Sequence, residues 1–129
     1  MCNSEDDRLT ISLARIGELE KIKSGDCTFV FDIDGVIAKY NPKLDYDNSE
    51  PNENMIEIVN KLYDYGNEII LFTARGSKTG IDWSKITEEQ MKRFGVKYTE
   101  LRMGKPAATY YVDDKSMSLE ELYLIGGEL

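Results

Sequence analysis

At 129 residues the chain has room for one domain with one modest core, and its 41% hydrophobic and 31% charged content fits an ordinary soluble globular protein. A formal charge of −8, with Lys and Arg scattered along the chain, argues against a nucleic-acid partner and disfavours anionic membranes, and no apolar run approaches the ~18–20 residues of a membrane span. There are no histidines, which excludes His general bases, Ser–His and Cys–His nucleophile pairs and His-ligated zinc.

Met1 to Asp7 is polar and acidic, without the basic and apolar regions of a secretory signal. Cys2 and Cys27 are too few for a disulfide framework, so a cytoplasmic location is expected. Leu9, Leu13, Ile16, Leu19 and Ile22 recur at helical spacing and predict a helix over 8–23, stopped by Gly25. Glu5-Asp6-Asp7 would compensate its N-terminal dipole. Thr28 to Ile33 reads as a buried strand, followed by a turn-rich stretch from Gly35 to Glu50 with Asn41-Pro42 in it. Pro51 is placed to open a helix with Met55, Ile58, Val59, Leu62 and Tyr63 as its apolar stripe and Gly66 as its stop.

Glu68 to Phe72 is a second buried strand, and Thr73 to Trp83 a loop. Thr87-Glu88-Glu89-Gln90 has the form of a capping box, stapled by Ile86 and Met91, for a helix ending at Gly95. Short strands are expected within Val96 to Leu101 and at Thr109 to Val112. Ser118-Leu119-Glu120-Glu121 is a second capping box, stapled by Met117 and Leu122. Strands alternating with amphipathic helices predict an α/β sandwich with a mainly parallel sheet. The whole chain reads as one domain, with residues 1–24 as tail and first helix and 26–129 as core.

In such sheets ligands collect at the carboxyl ends of the strands. The first strand ends Phe31-Asp32-Ile33-Asp34-Gly35, and in an extended segment the two carboxylates project to one side. That pairing is costly without a cation. Gly35 permits a tight turn that presents backbone N–H groups to an anion. Thr73 follows the second strand, Asp113 and Asp114 follow Val112, and Lys105 lies on the loop before them. Four carboxylates, a hydroxyl and an ammonium suit a Mg²⁺–phosphate site. An EF-hand reading fails, because Val36 stands at the fifth position counted from Asp32.

Asp32-Ile33-Asp34-Gly35-Val36, Thr73, Lys105 and Asp113-Asp114 resemble the four ordered motifs of the haloacid-dehalogenase superfamily, over about residues 28–122. Leu71-Phe72-Thr73-Ala74-Arg75-Gly76, Gly104-Lys105-Pro106 and Tyr111-Val112-Asp113-Asp114-Lys115 further resemble small members found with capsule and polysaccharide sugar biosynthesis. The resemblance implies a Rossmann-like three-layer α/β/α sandwich. It implies Asp32 as nucleophile, forming an aspartyl-phosphate, and Asp34 as general acid and base. Mg²⁺ would be held by Asp32, the Asp34 backbone carbonyl and Asp113, with Asp114 supporting it through water. Thr73 would bond the phosphoryl oxygens and Lys105 would neutralise charge. Branches of the superfamily that cleave carbon–halogen or carbon–phosphorus bonds usually lack an acid at the place of Asp34, which favours phosphate-ester hydrolysis.

The loops at Gly35–Glu50 and Arg75–Lys85 are too short for a cap domain, so the resemblance is to a capless member with an open site. Capless relatives commonly form oligomers or accept large substrates, and a homo-oligomer would shield this site. Gly35, Arg75, Lys78, Asp82 and Trp83 are the candidate substrate contacts, although Arg75 suits a local salt bridge equally and Trp83 suits packing better. The expected substrate is a small phosphorylated metabolite: a sugar, polyol or nucleotide phosphate. The alternatives are a non-catalytic module binding a partner such as a sugar nucleotidyltransferase, and a polynucleotide 3′-phosphatase, which the negative charge disfavours.

Overall fold

The computed structural model describes residues 16–41 and 46–129. Cys2, the run Glu5-Asp6-Asp7, the Leu9–Leu13 part of the expected first helix and the Pro42 turn lie outside them. The first described element, α1, spans Ile16–Lys23. It stops where predicted: Gly25 takes φ 79° and donates its N–H to the Ile22 carbonyl at 3.1 Å.

Strand β1 is Thr28–Asp32, and a 3₁₀ turn at Tyr46–Asn48 follows. Helix α2 is Glu53–Asp64, begun by the Asn52 side chain, which accepts the Met55 N–H at 3.4 Å. Pro51 stands just before it, paired with Ala38 in an isolated bridge. Met55, Ile56, Ile58, Val59 and Leu62 are buried on α2, the predicted stripe with Ile56 in place of Tyr63. Strand β2, Glu68–Phe72, has three consecutive buried residues, as a central strand should. Helix α3 is Ser84–Phe94, β3 is Glu100–Arg102 and α4 is Leu119–Gly126.

Among the described residues the three strands form one parallel sheet in the order β1-β2-β3. Asp32 is level with Phe72, and Phe72 with Arg102, so all three strands end together. The fold is thus mixed α/β, with a small parallel sheet and four α-helices described. Helix α2 packs on β2 and on α4. One core joins Phe31, Ile33, Met55, Leu62, Ile69, Leu71, Met91 and Leu122. Asn67 bolts its lower end: the buried amide donates to the Ile22 and Leu62 carbonyls, both at 2.9 Å, and accepts the Cys27 N–H at 2.9 Å.

Three expected elements differ. Strand β1, expected to be buried, lies at the sheet edge with Val30 61% exposed. Helix α3 starts three residues before Thr87, because Asp82 accepts both the Ser84 N–H and its hydroxyl, at 3.0 and 2.6 Å. Thr87 and Gln90 are therefore buried inside the helix and serve other partners. No strand forms at Thr109–Val112, where Tyr110 is 83% and Val112 97% exposed. Aromatic and β-branched residues favour strands when a neighbouring surface receives them, and none does here. The Tyr111 hydroxyl instead donates to the Pro106 carbonyl in its own loop. The other capping box is present as predicted: Ser118 accepts the Glu121 N–H, and Glu121 returns to the Ser118 N–H.

Gly25 and Gly104 both hold positive φ, but a Cβ at Gly25 would stand 2.4 Å from the Tyr65 carbonyl oxygen, whereas nothing lies within 4 Å of one at Gly104. Gly104→Ala is expected to cost about 1–2 kcal/mol from backbone conformation alone. Gly25→Ala should cost about 1–3 kcal/mol more through the added clash. Urea midpoints of the two variants measure the difference; equal losses would contradict this packing of α1 against the α2–β2 turn.

Candidate active site at the ends of the parallel strands

The aligned strand ends set Asp32 and Thr73 on one edge of the sheet. Beyond β1 the chain turns sharply. The Ile33 carbonyl accepts N–H groups from Val36, Ile37 and Ala38, and Gly35, at φ 90°, donates its own N–H to the Ala38 carbonyl at 2.8 Å. The turn predicted at Gly35 is present, with the glycine N–H given to the turn itself. Its tightness brings Asp34 back beside the strand end.

Each of the two neighbouring carboxylates has its own cation. Asp32 Oδ1 accepts the Ile33 N–H at 3.0 Å, and Oδ2 lies 3.3 Å from Lys105 Nζ. Asp34 meets Arg75 through two parallel bonds, Nε to Oδ2 at 3.0 Å and Nη2 to Oδ1 at 2.8 Å. Each acid is thus offset by a protein cation, and the Arg75–Asp34 pair has the bidentate geometry that suits a guanidinium best.

Arg75 does not face outward as a substrate contact would. Its side chain is fully enclosed, whereas that of Asp34 is 26% exposed. Nη1 donates to Thr87 Oγ1 at 3.2 Å, and the guanidinium lies over the Tyr46 ring, 4.7 Å from its centre. Tyr46 receives the edge of Trp83 at 5.0 Å, and its carbonyl accepts from the Gln90 amide. Trp83 is thus used in packing. Burial and then the Asp34 charge raise the Tyr46 hydroxyl above its ordinary pKa, so the ring stays neutral at physiological pH.

Thr73 is buried, and its hydroxyl accepts the Arg75 backbone N–H at 3.1 Å. Its carbonyl accepts the Lys105 N–H at 2.9 Å. The Ser77 hydroxyl donates to the Lys105 carbonyl at 2.7 Å, and the Tyr111 ring lies 4.0 Å from Nζ, so Lys105 is held on three sides. Tyr46 and Ser77 are therefore site-building residues that no motif marked, and Thr87 and Tyr111, present in motifs, were not marked for this use. Lys78 and Asp82 lie exposed on the loop, and the Ser84 bonds hold the Asp82 carboxyl below its usual pKa range.

Asp113 and Asp114 are exposed, and Asp113 Oδ1 accepts the Lys115 N–H at 2.8 Å. Among the described residues no three acidic side chains gather as a group able to hold a metal ion. The carboxylates of Asp32 and Asp34 are chemically suited to a hard cation, but the complete set expected for Mg²⁺ is not assembled in this arrangement.

No family model and no curated protein matches the chain. Among solved structures it is similar to the crystal structure of a target protein from Vibrio cholerae, at 27% identity and a TM-score of 0.65, with 79% of this chain and 98% of that one covered. The likeness is consistent with the α/β fold. No helix among the described residues is long and apolar enough to cross a membrane.

Thr87→Val removes the acceptor of Arg75 Nη1 while nearly keeping its volume. An orphaned buried donor on a charged group should cost about 1–3 kcal/mol. Urea unfolding checks this, and an unchanged midpoint would mean that water reaches the guanidinium.

Proposed function

We propose that the chain is a phosphate monoester hydrolase of the capless haloacid-dehalogenase type, acting through Asp32 on a small sugar, polyol or nucleotide phosphate. The observation that carries this reading is the pair of adjacent acids at the strand ends, each with a separate cation. Lys105 stands on the nucleophile candidate and Arg75 behind the proton-transfer candidate. A purely structural turn needs neither the two acids nor two cations to hold them.

Asp32, 37% exposed in its side chain, attacks phosphorus with a carboxylate oxygen. The P–O bond to the leaving group breaks as the acyl phosphate forms. Asp34 gives its proton to the departing alkoxide, which leaves as an alcohol. The Asp34 carboxylate then takes a proton from water, whose oxygen attacks the same phosphorus. The acyl P–O bond breaks, phosphate departs, and both acids return to their starting states. Lys105 offsets negative charge at the Asp32–phosphoryl junction throughout. Thr73 fixes the backbone of Arg75 and Lys105 from beneath.

Dependence on Mg²⁺ belongs to the proposal because of the motif resemblance. An oligomer that covers the open site, and a cytoplasmic setting, belong to the same reading.

Phosphate release from a broad panel of monoesters, with Mg²⁺ and with EDTA, tests the proposal. Release is expected with the metal, lost with EDTA, and lowered about 10⁴-fold or more in Asp32→Asn, as when a catalytic nucleophile is removed. Absence of release from every monoester by folded, Mg²⁺-supplied protein would point to a partner-binding module instead.

A further inference from the structure

The ion pair between Asp34 and Arg75 has a wet side and a dry side. The carboxylate is 26% exposed in its side chain, whereas the guanidinium behind it is 0% exposed. Two separate parts of the chain hold that guanidinium from behind: Thr87 on α3 accepts from Nη1, and its face lies over Tyr46 of the 3₁₀ turn, while the Arg75 backbone N–H is tied to Thr73 just past β2. Tyr46 is itself braced by Trp83 and by the Gln90 amide. Burying an arginine this completely is a poor route to stability, since an apolar group of similar size commonly does as well or better. The arrangement is suited to orientation. A planar fork with two N–H groups sets both the plane and the position of the carboxylate it grips, which one flexible ammonium does not.

We propose that Arg75 is a positioning residue for Asp34, holding its carboxylate from the buried side so that the exposed side is aimed at the leaving-group oxygen of a phosphate monoester. Asp34 has about four acceptor positions on its two oxygens, and the fork uses two, one on each. Among the described residues no other donor is bonded to the Asp34 carboxylate, which leaves the remaining positions for the transferred proton. Thr87, Tyr46 and Trp83 act at one further remove, as the support that keeps the fork from turning. This inference rests on the phosphatase reading above and adds to it the origin of the geometry of proton transfer.

Leaving-group dependence separates positioning of an acid from general damage. p-Nitrophenyl phosphate releases a stable phenolate that needs little protonation, phenyl phosphate needs more, and benzyl phosphate releases an alkoxide that needs a full proton. Arg75→Lys keeps the charge and loses the fork. It is expected to lower kcat/KM, which reports acyl-phosphate formation and not the later hydrolysis common to all three, on benzyl phosphate by about 10²-fold and on p-nitrophenyl phosphate by about tenfold or less, with phenyl phosphate between, because an acid misplaced by a fraction of its reach loses most of its effect. Asp34→Asn should show the same graded order, and adding Arg75→Lys to it should cause little further loss on benzyl phosphate. Guanidinium ion added to Arg75→Ala should restore benzyl phosphate hydrolysis in part.

An equal loss on all three substrates, or a full additional loss on the Asp34→Asn background, would overturn the positioning role while leaving the phosphatase intact. Should Arg75→Lys fail to fold by circular dichroism, Thr87→Val carries the comparison. A graded loss there supports the inference and an even loss overturns it. If the wild-type protein with Mg²⁺ hydrolyses no monoester of the broad panel, these three included, the phosphatase reading fails and this inference falls with it.

Discussion

Two carboxylates stand two residues apart at the end of a strand, and a buried arginine makes that placement possible. The Arg75–Asp34 pair offsets the charge of one of the two acids, and it does so from inside the protein. Removing one partner of such a pair leaves an uncompensated buried charge, at a cost of about 3–5 kcal/mol. The same guanidinium joins α3 and the 3₁₀ turn, and the Arg75 backbone N–H is held by Thr73, so the contacts that orient an acid also tie the loop after β2 to its surroundings. Lys105 repeats the pattern for Asp32 on a different loop, held by Thr73, Ser77 and Tyr111.

The sheet supplies the common edge. Parallel register brings the ends of β1, β2 and β3 level, and one core packed from α2, the strands and α4 holds that register. Glycines serve where chains pass closest: Gly25 lets α1 end against the Tyr65 carbonyl, and Gly126 lets α4 lie on Ile58. The resulting scaffold is rigid below the strand ends and loop-built above them. Such a division suits chemistry, since loops can vary while the strands fix the reacting groups.

Much of this was legible in the residue pattern. β2 falls at Glu68–Phe72 because a fully buried strand is a continuous apolar run, and α4 begins at its capping box because that motif pairs its own donors locally. The α3 start was misplaced because two residues with capping chemistry, Thr87 and Gln90, are spent on tertiary partners, while Asp82 and Ser84 begin the helix. The Thr109–Val112 stretch shows the weakness of β-propensity, which reports a fit to neighbours that the local sequence does not contain. At the site, Asp32, Asp34 and Thr73 were expected at and just past the first two strands and stand there, whereas Lys105 was expected before a Thr109–Val112 strand that does not form and reaches Asp32 from the loop after β3. Tyr111 acts within its own loop, on Lys105 and Pro106, and Tyr46, Ser77 and Thr87 were not readable because each acts through a contact across the fold from a residue type that is common on any surface. Asn67 was missed for the same reason, as its three hydrogen bonds join segments up to 45 residues apart in sequence. Arg75 was ambiguous for a different reason: its loop position fits an outward or an inward guanidinium, and only the enclosure by Tyr46 and Thr87 decides between them.

The most direct test of the central claim is to trap the covalent intermediate. The Mg²⁺-supplied protein is mixed with p-nitrophenyl phosphate, quenched in acid within the first turnover, reduced with borohydride and mapped by peptide mass. An acyl phosphate on Asp32 is reduced to the corresponding alcohol, so homoserine in place of Asp32, and nowhere else, is the expected result. Turnover of the substrate without any modification at Asp32, or with modification at a different carboxylate, would contradict the assignment of the strand-end acid as nucleophile.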